Sequence, residues 1–190
     1  MKRALILVLM LAACRDEVAQ AVDPVKLTDE AIGHYCQMNL TEHPGPKAQV
    51  HLDGLPGAPL FFSQVRDAIA YSRLPEQSHT ILAIWVNDMG APGATWDAPG
   101  AANWIDAKTA HYVVGSAREG GMGAPELVPF SDAADAGVFA DQYGGVVMGL
   151  ADVPDSAVIA PVADVDPAGS AEDDKDFKGR LRALSQRNEG

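Results

Sequence analysis

Short apolar runs separated by glycine- and proline-rich breaks set the pattern of this chain. Residues 48–52, 60–62 and 81–86 are apolar or alternating and rich in β-branched and aromatic side chains, the pattern of strands. Residues 110–114, 126–128 and 146–150 repeat that series. The two copies also share spelling: Gly57-Ala58-Pro59 leads to Phe62-Ser63 and Asp67-Ala68, and Gly123-Ala124-Pro125 leads to Phe130-Ser131 and Asp135-Ala136. This internal repeat predicts helices over 63–74 and 131–143, each with its serine as N-cap and an aspartate favourable to the helix dipole in its first turn. Pro75 and Gly144-Gly145 supply the stops.

The order β-β-α-β, read twice, predicts an α+β fold of two homologous ββαβ units. Each has too little apolar surface for a core of its own, so the two are expected to pack together. The first unit spans 30–90, and the second, with a turn-rich linker over 88–100, spans 91–160. At the N-terminus an apolar run over 4–13 follows Lys2-Arg3 and closes with Leu11-Ala12-Ala13-Cys14. This has the form of a lipoprotein signal peptide over 1–13, with Cys14 acylated after cleavage. The run is too short to span a bilayer, for which a helix needs about 20 apolar residues. A polar tether over 14–29 would then join the lipid anchor to the domain. Arg15, in place of an aspartate, favours the inner leaflet of the outer membrane over inner-membrane retention. The polar tail over 161–190 carries an acidic run and then a basic patch, with too few apolar anchors for a core; disorder or a short helix over 173–186 is expected.

Charge narrows the function. With 14 basic and 26 acidic residues the formal charge is −12, and cleavage would remove two of the basic ones. Nucleic-acid binding depends on clustered lysine and arginine that this chain lacks, which excludes that class. The chain has two cysteines. If Cys14 carries lipid, Cys36 is a lone thiol in an oxidising compartment with no partner for a disulfide. It lies in His34-Tyr35-Cys36-Gln37-Met38-Asn39-Leu40, an alternating stretch that predicts an extended strand with His34, Cys36 and Met38 on one face. A thiolate beside a thioether suits Cu(I) far better than Mg²⁺, Ca²⁺ or Mn²⁺, and zinc sites seldom use methionine. Met122, in the flexible-looking loop Gly120-Gly121-Met122-Gly123, is a third soft donor with little core to pack against, and His34 and His43 are further candidates. The residues alone leave the opposite reading open, in which Cys36 is a small buried residue and methionine fills gaps. Met148, His51, His79, His111 and the three tryptophans read as packing or surface residues, one tryptophan being a candidate shield for a soft-metal site; Met89 is undecided. No serine elbow, phosphate loop or His-Glu-x-x-His helix is present, and Cys36 has no evident general base, so no enzyme is predicted.

Taken in order, the lipobox, Cys36-Gln37-Met38 running into Glu42-His43-Pro44-Gly45-Pro46-Lys47, the twin Phe-Ser helices and Gly120-Gly121-Met122-Gly123 resemble the NosL family of copper-binding accessory lipoproteins. The resemblance covers residues 1–155. It implies two homologous ββαβ units binding one Cu(I), with Cys36, Met38 and Met122 as ligands. It also implies a periplasmic, lipid-anchored chaperone supplying the copper centres of nitrous oxide reductase together with a membrane ABC transporter system. Many members have a second cysteine in a Cys-x-x-Cys-Gly-Met pattern; here Gly33 takes that position and Gln37 replaces the glycine. The resemblance therefore implies a Cys/Met/Met or Cys/Met/His set. The competing readings are a copper-storing lipoprotein without a dedicated client and a structural lipoprotein with an inert cysteine.

Overall fold

The computed structural model describes residues 19–159. The leader, Cys14 and the tail over 160–190 lie outside the described residues. The first unit comprises β1 (Ala48–Leu52), β2 (Leu60–Phe62), α1 (Val65–Arg73) and β3 (Ile81–Val86). After it come β4 (Ile105–Asp106) and the second unit, β5 (His111–Val114), β6 (Val128–Phe130), α2 (Ala133–Tyr143) and β7 (Val146–Gly149). The sheets are ordered β2-β1-β3-β4 and β6-β5-β7. All their pairings are antiparallel, and in each unit the first strand is central. The duplicated ββαβ architecture is therefore present. Only the two-residue β4, which pairs with Trp85 and Val86, had no counterpart in the repeat.

The two units share one core. Ala48, Val50, Leu52, Phe62, Val65 and Ile69 of the first pack with Tyr112, Leu127, Val153 and Val158 of the second. A smaller cluster joins Val113, Val128, Phe130 and Ala136 to Met89, Trp96 and Phe139, which gives the undecided Met89 a packing role. Met148 packs against the main core, as expected of a strand interior. Every residue of β1 is buried. Its alternate residues Gln49 and His51 are covered by the chain preceding the fold. Gln49 Oε1 accepts from Val25 N at 2.8 Å and Gln49 Nε2 donates to Val25 O at 3.0 Å. Trp85 Nε1 donates to Val22 O, and Gln20 Nε2 donates to Leu52 O. From Gln20 to Leu27 the polar segment expected to act as a tether is thus strapped across the sheet.

Both helices begin one step later than the serines suggest. The N-caps are Gln64 and Asp132, and only Asp132 caps with its own side chain, accepting from Ala134 N at 2.6 Å. Ser131 is engaged elsewhere: its hydroxyl and amide both donate to the Asp88 carboxylate. At α1 the cap comes from the other unit. Glu126 accepts from Arg66 N at 2.9 Å and Leu127 N at 2.9 Å through Oε1, and from Val65 N at 3.3 Å through Oε2. The carboxyl that answers the orphan amides of the first helix is therefore supplied by the strand-leading segment of the second unit. This use of Glu126 also displaces β6 from the expected 126–128 to Val128–Phe130.

Burial pushes the Glu126 carboxyl up to about 8, although three backbone N–H groups hold it down. A carboxyl raised above its ordinary 4.5 contributes stability that is fully present below that pH and is lost as pH climbs to about 8. Glu126→Ala should remove that slope and, by orphaning three buried amides, destabilise the fold by about 3 kcal/mol. Urea unfolding across the pH range checks both effects; a loss under about 1 kcal/mol would contradict the capping role.

Candidate metal centre

Residues around Cys36 form a tight turn and not the expected strand. Gly33 N donates to Met38 O at 3.0 Å, Gln37 N to Gly33 O at 2.9 Å, and Leu40 N to Ala31 O at 2.9 Å. Gln37 takes φ 55°, and its side-chain amide donates to His34 O at 2.6 Å, securing a left-handed residue that alternation had placed on an extended chain. Turn closure, in place of strand periodicity, sets the Cys36 thiol against the Met38 backbone: Sγ lies 3.9 Å from Met38 O. A Cβ on Gly33 would overlap Cys36 Sγ. The thiol is half-buried, while Met38 is 41% exposed. The His34 ring packs edge-on against Phe62 and Tyr71 at 5.5 and 5.6 Å.

Beyond Met38 a short 3-10 helix, Leu40–Glu42, leads into His43-Pro44-Gly45. That turn is built around Lys47, whose ammonium donates to His43 O (2.7 Å), Pro44 O (3.1 Å) and Gly45 O (2.6 Å) and is 1% exposed. Burial lowers the ammonium to about 8, with nearby Glu126 and Cys36 offsetting part of the effect.

Met122 arrives from the second unit on a hairpin closed by the Glu119–Pro125 bridge and by Gly120 N donating to Ala124 O at 2.8 Å. Gly120 and Gly121 serve close approach, while Gly123 takes a left-handed φ of 73° in open space. A Cβ on Gly120 would overlap Glu126 Oε2 and Gln64 Oε1, and one on Gly121 would overlap His43 Cβ. The Gly121–Met122 peptide is gripped at both polar atoms. His43 Nδ1 lies 3.0 Å from Gly121 O, and Met122 N donates to Gln64 Oε1 at 2.8 Å. Because a carbonyl only accepts, His43 Nδ1 carries the proton, and its buried Nε2 has no partner among the described residues. The Met122 side chain remains 45% exposed.

The hairpin carrying Met122 is therefore docked on the His43 turn, which follows the turn that carries the half-buried Cys36 thiol and the exposed Met38 thioether. Among the described residues no group of three or more His, Cys, Asp or Glu side chains stands ready for a metal ion. The sulfur donors of Cys36, Met38 and Met122 are soft, the preference of Cu(I). The tryptophans pack: Trp96 stacks on Phe139 and lies under Arg118, Trp104 joins Leu27 and Leu40, and Trp85 secures the strap. Sequence reading passed over Gln64, Lys47 and Glu126. The one available signal was a break in the repeat, where Leu60 follows the first Gly-Ala-Pro and Glu126 the second.

Comparison with known proteins agrees with this architecture. A model of the NosL family matches residues 24–158. The copper-binding lipoprotein NosL of Achromobacter cycloclastes is 61% identical over 177 residues, covering 92% of this chain and 89% of that protein. That of Stutzerimonas stutzeri is 32% identical over 169 residues, covering 87% and 85%. The crystal structure of the copper chaperone NosL from Shewanella denitrificans superimposes with a TM-score of 0.64 at 29% identity, covering 70% of this chain and 96% of that one.

If close approach is the reason for the paired glycines, Gly121→Ala should lift the hairpin from the His43 turn. Hydrogen exchange should then quicken by about tenfold at the Met122 amide, as a lost hydrogen bond predicts. Unchanged protection there would contradict the docking.

Proposed function

The chain belongs to the NosL family, and from that premise we propose that it is a lipid-anchored periplasmic chaperone for Cu(I), the ion being held by Cys36, Met38 and Met122. The relatives are named as copper-binding lipoproteins and a copper chaperone, none of them an enzyme. The observation that supports the reading is the exposure of Met38 and Met122, the first on the turn that carries the Cys36 thiol and the second on a hairpin docked against the His43 turn that follows it. A thioether open to solvent is free to bind a soft cation, which a side chain packed in the core is not. A thiolate neutralises the single charge of Cu(I), and two neutral thioethers complete a low-coordinate site without further charge. Cys14 anchors the protein to the membrane, with the inner leaflet of the outer membrane as the favoured side. Nitrous oxide reductase, served through its ABC transporter maturation system, is the client.

The protein should bind one Cu(I). Cys36→Ser should weaken binding by more than about 100-fold, since even changes outside the ligand shell cost roughly 10–100-fold in metal sites. Met38→Leu and Met122→Leu should each weaken it less, and affinity should fall with pH because the thiol must lose a proton to bind. Competition against a Cu(I) chelator of known affinity measures all three; an unaltered Cys36→Ser protein would move the site elsewhere.

A site with few soft ligands leaves room for an incoming donor, so copper should pass by ligand exchange within a transient complex. Loaded protein mixed directly with copper-free maturation components should transfer its metal faster than when a dialysis membrane separates them. Equal rates would mean transport through free solution and would favour storage over delivery.

A further inference from the structure

Gln64 occupies the N-cap position of α1 but makes no capping hydrogen bond. Its side chain is 1% exposed, and burying an amide group costs free energy unless its polar atoms find partners. Both do. Gln64 Oε1 accepts from Met122 N at 2.8 Å, and Gln64 Nε2 donates to Asp67 Oδ2 at 3.2 Å. The capping that Gln64 gives up is taken over by Glu126, which receives Val65 N and Arg66 N. One carboxyl from the second unit thus releases one amide of the first unit to hold the second unit's hairpin. On the other side of the same peptide bond His43 Nδ1 donates to Gly121 O at 3.0 Å. Gly120 and Gly121 lack the Cβ atoms that would keep Gln64, Glu126 and His43 at a distance.

Resting on the reading of Met122 as a ligand, we infer that Gln64 and His43 are positioning residues that clamp the Gly121–Met122 peptide and set where the Met122 thioether stands before copper arrives. Neither needs to touch the ion in this role. A peptide gripped at its carbonyl and its amide cannot rotate without breaking one of two hydrogen bonds, so the backbone under Met122 is fixed while the side chain stays in solvent. The entropy of ordering the hairpin is spent in folding and not in metal capture, which raises affinity without adding a ligand. Asp67 has a matching part, because its bond to Nε2 orients the Gln64 amide with Oε1 toward Met122.

The test is a set of Cu(I) competition titrations on Gln64→Leu, Met122→Leu and the double variant, with thermal unfolding of each. Gln64→Leu keeps a similar volume and removes the acceptor; it should weaken Cu(I) binding by roughly five- to tenfold, the size of one lost hydrogen bond. In the Met122→Leu background the same change should have no further effect on affinity. Should Gln64→Leu not fold, Gln64→Asn, polar but one methylene shorter, is expected to give the same loss and the same dependence on Met122. An equal loss in both backgrounds, or none in either, would overturn the clamp. Cu(I) binding that is indifferent to Met122→Leu would instead remove Met122 from the ligand set, a separate failure visible in the same data.

Discussion

The buried carboxyl of Glu126 is the contact on which the rest of the junction depends. It belongs to the second unit and sits at the N-terminus of the first unit's helix, where it receives Val65 N and Arg66 N. Without it α1 would need its own N-cap, and Gln64 is the residue at that position. With it, Gln64 turns to Met122, the Gly120-Gly121 pair closes on the His43 turn, and Lys47 is enclosed beneath that turn with three carbonyls around its ammonium. Asp88 answers from the other side by receiving the hydroxyl and amide of Ser131, so each unit meets an acid at or beside the start of the helix in the other.

The junction explains why the soft donors are divided. Cys36 and Met38 sit on a turn of the first unit and Met122 on a hairpin of the second, which meets the first unit at Gln64 and at the His43 turn that follows Met38. A metal site of this kind exists only in the folded, joined protein. Gly33 bears on the same point. The thiol fills the space a Cβ would need, so the turn as folded here requires glycine at position 33.

Much of this was legible in the chain, and the parts that were not have physical reasons. Repeated spelling carried the duplicated fold, because a ββαβ unit leaves a strong record in turns, helix starts and apolar runs. The helix starts were misplaced because Ser63 and Ser131 are good caps in isolation, whereas the acids that engage these helix starts come from distant positions. The strand expected at 34–40 failed because alternation cannot register Gln37 at positive φ, held by its own side chain. The glycines around Met122 were read as flexibility, yet Gly120 and Gly121 stand where a Cβ would collide with the first unit; composition alone cannot separate the two. Likewise a polar stretch without period reads as a tether, and only the facing Gln49, Trp85 and Leu52 reveal that 20–27 lies on the sheet.

X-ray absorption at the copper edge of the Cu(I)-loaded protein tests the account most directly, because it counts donors by element without reference to the fold. The account predicts a first shell of three sulfurs, one of which disappears in Cys36→Ser and another in Met122→Leu. A shell made of nitrogen and oxygen, or one that keeps its sulfur count in both variants, would contradict it.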